Sequence, residues 1–99
     1  MKNPIKNINK VFDNRVRLGI MSILMINDSS SFNELKEYLE ITDGNLASHL
    51  KTLEDNKMLE VRKEFLGKKP NTSYRITYEG KQAFNTHLNA LEMLINKSK

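Results

Sequence analysis

Two short apolar repeats separated by a brief break constrain this 99-residue chain more than any other feature. The first repeat follows Ser31, which forms a Ser-x-x-Glu helix-start signal with Glu34. The second follows Thr42 and Asp43, which are both good N-cap residues. The apolar positions share one helical face within each repeat: Phe32, Leu35 and Leu39, then Leu46, Leu50 and Leu53. Residues 31–56 are therefore predicted to form two helices joined by a tight turn, a helix-turn-helix.

The far face of the second predicted helix is small, polar and mostly uncharged, which suits contact with base edges in the major groove. Asn45 can pair bidentately with adenine, His49 can donate to a base or a phosphate, and Lys51 is long enough to reach a phosphate. The alternative is a solvated helix face, which would normally carry more Lys and Glu. The candidate DNA contacts of this recognition helix are Thr42, Gly44, Asn45, Ser48, His49, Lys51 and Thr52.

Beyond this region the apolar spacing becomes alternating, which predicts two strands in a hairpin over residues 59–78. Residues 66–72 between the strands are rich in turn formers and basic side chains. A hairpin directly after a helix-turn-helix is the order of a winged helix. We expect this wing to contact the DNA backbone or the minor groove, so that it positions the protein on the duplex rather than reads bases. The alternative is a solvated tip that protects a sheet edge. Its candidate contacts are Lys63, Lys68, Lys69, Asn71, Thr72 and Arg75.

The N-terminal residues 1–12 carry apolar side chains at i, i+3 and i+7, which predicts a short amphipathic helix starting near Pro4. A helix this short must dock on its own core or on a second subunit. The next helix is predicted to begin after Asp13 or Asn14 and to reach about Asn27. Because it is apolar on nearly all sides, it is expected to be the central core helix, or to share one side with a partner subunit.

The last predicted helix, residues 79–97, has apolar residues at spacings of 4, 3 and 4, a seam typical of coiled coils. A three-helix winged domain does not need this helix for its core, so the seam favours a two-fold homodimer. The alternative is a helix that folds back on its own domain. The predicted dimer contacts are Ile5, Ile8, Phe12, Phe84, His87, Leu88, Leu91, Leu94 and Ile95.

The charge distribution supports a polyanionic partner. The formal net charge is +4, with +4 in residues 1–20, −5 in 21–56, +4 in 57–75 and +1 in 76–99. Basic ends around an acidic centre suit a polyanion that is gripped by flanking elements. A solvated surface of uneven charge is the alternative. Arg17 and Lys36 are further candidates for contact with the DNA backbone, with surface ion pairing as the alternative.

Several classes of function are not indicated. The chain has no cysteine, and its two histidines stand on separate predicted helices with no carboxylate at ligand spacing. It has no Gly-rich phosphate loop and no nucleophile elbow. We therefore expect no enzyme activity, no metal and no cofactor. No apolar run approaches the ~20 residues of a membrane span, and no signal peptide is present, so no membrane partner and a cytoplasmic location are expected.

Four phrases of the sequence carry a family resemblance. They are RLGI at 17–20, FNELK at 32–36, TDGNLASHLKTLE at 42–54 and TSYRITYEG at 72–80. Over about residues 13–85 the chain resembles the compact winged helix-turn-helix transcriptional regulators of prokaryotes, related to the MarR and ArsR groups. Gly19 stands where an alanine is usual in the first phrase, and close approach of another helix would explain it.

The resemblance implies a homodimeric transcriptional regulator that binds specific sites in double-stranded DNA. A small-molecule effector in a cleft between the dimer helices would add to this function. The alternative is a winged-helix protein-interaction module without DNA binding, which the acidic centre suggests. The predicted fold class is mainly α with a small β-hairpin (α+β), a winged helix-turn-helix with an added C-terminal dimerisation helix. The whole chain, residues 1–99, is predicted to be a single domain.

Overall fold

The computed structural model describes residue 3 and residues 5–97, which form helices packed on a three-stranded antiparallel sheet. The elements are a short 3₁₀ helix (Lys10–Phe12), α1 (Arg15–Ile26), β1 (Ser30–Ser31), α2 (Phe32–Leu39), α3 (Asp43–Asp55), β2 (Leu59–Leu66), β3 (Lys69–Ile76) and α4 (Tyr78–Lys97). The α+β class and the order of a winged helix with a long C-terminal helix are confirmed.

Local side-chain caps set the starts of the first three α-helices. The side chain of Asn14 accepts hydrogen bonds from two backbone amides in the first turn of α1. Ser31 and Glu34 form the predicted capping box at α2, with the Ser31 amide donating to Glu34 Oε1 at 2.8 Å. The Thr42 hydroxyl accepts from the Asn45 amide at 3.2 Å and caps α3. Each cap satisfies amides that the helix itself leaves unbonded.

Helix α1 lies at the centre of a single core, as its apolar composition predicts. The buried apolar side chains come from every major element: Phe12, Ile20, Met21, Leu24, Leu35, Leu46, Leu50, Leu53, Leu59, Ile76 and Phe84. Gly19 faces α2, and a Cβ at this position would lie 2.9 Å from Leu39 Cδ2. The close helix approach that would explain this glycine is therefore present.

The two strands extend closer to the turn, and the turn is tighter, than predicted. The strand order is β1-β3-β2, and β2 pairs with β3 from Leu59 opposite Ile76 to Leu66 opposite Lys69. Only two residues of the predicted 66–72 connection remain outside the strands. Gly67 occupies the first of these positions with φ of 69°, a left-handed conformation that suits glycine in two-residue hairpin turns.

The amphipathic helix predicted over residues 1–12 is wrong for the residues that the structure describes. Only Lys10–Phe12 is helical, as a single 3₁₀ turn. Two asparagine side chains capture nearby amides, because Asn3 Oδ1 accepts from the Ile5 amide and Asn9 Oδ1 accepts from the Val11 amide. Such local bonds compete with a regular helix. The predicted start near Pro4 lies outside the described residues.

Helix α4 extends beyond the body of the domain. Twenty residues correspond to about 30 Å of helix, and the molecule measures 58 × 26 × 21 Å. Its radius of gyration of 15.1 Å exceeds the ~13 Å expected of a compact domain of this length. In the distal half of α4, Leu88, Met93 and Ile95 are exposed. Within the described residues, no helix combines the length and apolar character needed to cross a membrane.

The proximal half of α4 packs against the N-terminal segment of its own chain. The rings of Phe12 and Phe84 meet edge to face with centroids 5.2 Å apart, and both are buried. His87 is also buried, and its Nδ1 accepts a hydrogen bond from the Asn9 amide at 3.0 Å. Burial lowers the pKa of His87, and the nearby Asp13 charge opposes this only in part. Phe12, Phe84 and His87 therefore belong to the core of one protomer, and their prediction as dimer contacts is wrong.

Candidate nucleic-acid interface

The outward face of α3 carries polar side chains that are free to bind a ligand. Leu46, Leu50 and Leu53 hold the opposite face in the core. The side chains of Asn45 and Ser48 are exposed, and neither makes a hydrogen bond within the described chain.

Three other residues predicted to contact DNA at α3 differ in how accessible they are to a ligand. The Thr42 hydroxyl is engaged as the helix cap. The Thr52 hydroxyl donates to the Ser48 carbonyl at 3.2 Å and is half-buried, so it is less accessible than predicted. Apart from its chain neighbours and the backbone of its own helix, no described residue places a heavy atom within 4 Å of where a Cβ of Gly44 would stand. The backbone at the start of α3 is consequently open to a close approach.

Two predicted phosphate contacts take part in surface ion pairs. Lys36 Nζ lies 2.8 Å from Asp43 Oδ1, and this pair joins α2 to the first turn of α3. Lys51 Nζ lies 3.4 Å from Asp55 Oδ1, one helical turn away. Pairs exposed in this way are typically worth about 0–1 kcal/mol. Either lysine could therefore exchange its carboxylate for a phosphate at little cost.

Arg17, which was predicted to contact the DNA backbone, forms two hydrogen bonds inside the protein. Its Nε donates to the Val11 carbonyl at 2.6 Å, and its Nη1 donates to His49 Nδ1 at 2.9 Å. The side chain thus links the N-terminal segment, α1 and α3. The structure supports Arg17 as a brace for α3, and contact with phosphate would have to use its remaining donors.

The hydrogen bond from Arg17 also determines the tautomer of His49. A guanidinium has only donors, so Nδ1 must accept and the imidazole proton must lie on Nε2. Burial and then the charge of Arg17 lower the pKa of His49. At neutral pH this half-buried side chain is therefore a neutral donor on the edge of the α3 face.

Replacing Arg17 with methionine should raise the pKa of His49, because the positive charge that opposes protonation is removed while the apolar stem is retained. A histidine ring-proton NMR titration measures this change. His87 supplies the internal control, since its pKa depends on burial and Asp13. An unchanged His49 titration would contradict the brace.

The register of the hairpin divides the predicted wing contacts between two faces. Lys63 stands opposite Thr72 on the face that is continuous with the core residues Leu59 and Ile76. Arg75 stands opposite Glu60 on the other face, together with Asn71 and Lys69, while Lys68 occupies the turn. Lys63 and Arg75 therefore lie on opposite faces of the hairpin.

The wing cations are available to a ligand. Lys63, Lys68, Lys69 and Arg75 are exposed, and none forms an ion pair in the part of the chain that the structure describes. Beside them, Phe65 and Leu66 are also exposed. Phe65 is in the alternating pattern that begins with the buried Leu59, but the hairpin projects past the core before Phe65 is reached. Two large apolar residues next to the turn were the signal that was missed.

Residues 16–95 match a family model described as a winged helix DNA-binding domain. An uncharacterized protein of Methanocaldococcus jannaschii is 38% identical over 79 residues, which cover 80% of this chain and 86% of that protein.

Solved structures that resemble this chain include the following two. The transcriptional regulator homologue protein from Pyrococcus horikoshii superposes with a TM-score of 0.83 at 31% identity, covering 97% of this chain and 93% of that one. PadR from Bacillus subtilis, in complex with operator DNA, superposes with a TM-score of 0.67 at 20% identity, covering 76% and 47% respectively. The second likeness concerns the fold alone.

Proposed function

This chain belongs to the family of winged helix DNA-binding domains, and on that premise we propose that it regulates transcription as a homodimer bound to specific duplex sites. The observation that carries the proposal is the outward face of α3, where Asn45 and Ser48 are exposed, uncharged and without a partner in the described chain. The transcriptional regulator homologue of Pyrococcus horikoshii, at 31% identity, supports it. A cytoplasmic location and a small-molecule effector stay predictions.

In the proposed complex α3 lies in the major groove. Asn45 pairs with a base edge, Ser48 adds a contact that several bases can satisfy, and the Nε2 proton of His49 is donated to a base or phosphate. The wing follows the flanking backbone with its unpaired cations. The acidic residues Glu54 and Asp55 end α3, so this end of the helix points away from the phosphates.

The distal half of α4 supplies the proposed dimer contact. Leu88 and Ile95 are exposed on one face of a helix that projects from the domain, and the half-buried Leu91 lies between them on the same face. A second copy related by a two-fold axis would cover this surface with the same surface of its own. Two recognition helices would then meet two half-sites, as in other helix-turn-helix dimers.

Selection of bound sites from random duplexes at physiological salt tests the proposal directly. We expect a pseudo-palindrome whose half-sites lie about one helical turn, or a multiple of it, apart. An enriched single half-site would retain specific binding but exclude the dimer. A pool that shows no enrichment would overturn the regulator and leave the protein-interaction module as the better interpretation.

Replacing Asn45 with alanine should weaken binding to the selected site by about 1–3 kcal/mol and abolish the discrimination at one base pair of each half-site. Fluorescence anisotropy on the selected duplex and on single base-pair variants measures both effects. Asn85→Ala removes an exposed asparagine from α4 and is the matched control. If the two variants bound the selected site with equal affinity, Asn45 would not contact the DNA.

A further inference from the structure

Two large apolar side chains stand in solvent at the tip of the wing. Phe65 is 71% exposed and Leu66 is 62% exposed. They lie immediately before the turn formed by Gly67 and Lys68, and Pro70 is opposite Phe65 in the hairpin register. Neither side chain belongs to the core, which reaches only as far along the hairpin as Leu59 and Ile76 with Tyr74 packed against it. Consecutive strand residues project from opposite faces, so the tip exposes one large apolar side chain on each face of the hairpin.

Cations surround this apolar tip. Lys63 is two residues before Phe65 on the same face of the hairpin, Lys68 is in the turn, and Lys69 is opposite Leu66. All three are exposed, and the described residues provide no ion pair for any of them. The tip therefore combines an apolar end with three free positive charges, and it carries no arginine.

This combination matches the chemistry of the minor groove of duplex DNA. The groove is bordered by two rows of phosphates, which the lysines would neutralise, and its floor consists of stacked base pairs. Apolar side chains such as Phe and Leu can act there as wedges that partially unstack one base step. A wedge opens the groove, whereas an arginine is suited to a groove that is already narrow.

We propose that the wing tip inserts Phe65, flanked by Leu66, at a base step of the minor groove beside the site that α3 contacts. This rests on the proposed function, because α3 must first place the domain on the duplex. The wing then selects its flanking sequence by the ease with which a step unstacks, without a hydrogen bond to any base. Pyrimidine–purine steps such as TA and CA/TG deform readily, while A-tracts are stiff.

We therefore expect the wild-type protein to bind a duplex with a flexible flanking step roughly tenfold more tightly than one with an A-tract flank. Replacing Phe65 with alanine should reduce this preference to about twofold or less, because the wedge is lost while the lysines remain. Replacing Lys68 with alanine should weaken binding equally to duplexes with either flank, since a phosphate contact does not distinguish sequences.

The test uses duplexes that carry the selected half-sites, with 2-aminopurine placed in turn at each flanking position. Unstacking raises the fluorescence of this base, so the wild-type protein should produce a rise at one flanking step. Phe65→Ala should abolish the rise, and Lys68→Ala should retain it. Tyr78→Ala is the matched control, because Tyr78 is 72% exposed but stands at the base of the hairpin.

The outcomes separate the wedge from the proposed function. Specific binding with no fluorescence rise at any flank would overturn the wedge and leave the regulator intact. A Phe65→Ala variant that selects the same flanks as the wild type would do the same. Failure to bind any duplex would overturn both. Binding to anionic lipid vesicles that Phe65→Ala abolishes, without an effect on flank choice, would assign the tip to membranes and refute the wedge.

Discussion

Replacing Phe12 with alanine should lower the free energy of unfolding by about 3–5 kcal/mol. The side chain is 1% exposed, and its ring centroid lies 5.2 Å from that of Phe84 and 5.4 Å from that of His87. Alanine would leave a cavity where the N-terminal segment meets α4. For a domain of this length the loss is a large share of the total stability. Urea unfolding followed by circular dichroism measures it.

Phe65→Ala is the matched control for this prediction, because it removes the same side chain from a site that is 71% exposed. Its effect should stay within about 0.5 kcal/mol. Repeating both measurements over a range of protein concentrations adds a second criterion. If the loss of unfolding free energy in Phe12→Ala depended on protein concentration, Phe12 would belong to a subunit interface. That result would contradict its assignment to the core of one protomer.

Raising the salt concentration from 50 to 200 mM should weaken DNA binding by a factor on the order of 10³–10⁵, as is typical when 6–10 phosphates are neutralised. Each protomer offers Lys63, Lys68, Lys69 and Arg75 as exposed cations that form no ion pair with another described residue. A dimer would therefore present about eight such contacts, within that range. The slope of log affinity against log salt concentration, measured by anisotropy, gives the number directly.

The double variant Lys68→Ala/Lys69→Ala should reduce the magnitude of that slope by about 3–4, since a dimer loses four cations at about 0.9 each. Lys81→Ala removes an exposed lysine from the first turns of α4, at the end of the hairpin opposite the tip, and should leave the slope unchanged. Equal slopes for the double variant and the wild type would show that the wing does not touch phosphates.

The parts of the fold that depend on neighbouring residues could be predicted from the sequence. Ser31 with Glu34 caps α2 as expected. The sequence left Asp13 or Asn14 open for α1 and Thr42 or Asp43 open for α3, and the caps are Asn14 and Thr42. Each could be predicted this closely because a cap and the amide that it satisfies are at most three residues apart. The N-terminal helix failed for an equally local reason. Asn9 bonds the Val11 amide, and apolar spacing alone does not reveal that competition.

In the candidate site, too, the features set by nearby residues could be predicted and those set by distant residues could not. The face of α3 followed from the spacing of its leucines, since burying one side of a helix fixes what the other side presents. The brace from Arg17 to His49 spans 32 residues, and no local pattern encodes such a pair. The separation of Lys63 from Arg75 depends on the hairpin register, which the tight turn at Gly67 sets.

The bond between Asn9 and His87 joins residues 78 apart in sequence, near the two ends of the chain. The contacts within the helix-turn-helix and the hairpin close much shorter loops, so their formation costs less chain entropy and is expected to come first. During synthesis the N-terminus emerges early, yet Phe12 has no ring to pack against until Phe84 has left the ribosome. Helix α4 therefore completes the core around Phe12 only after the helix-turn-helix and the hairpin have been made.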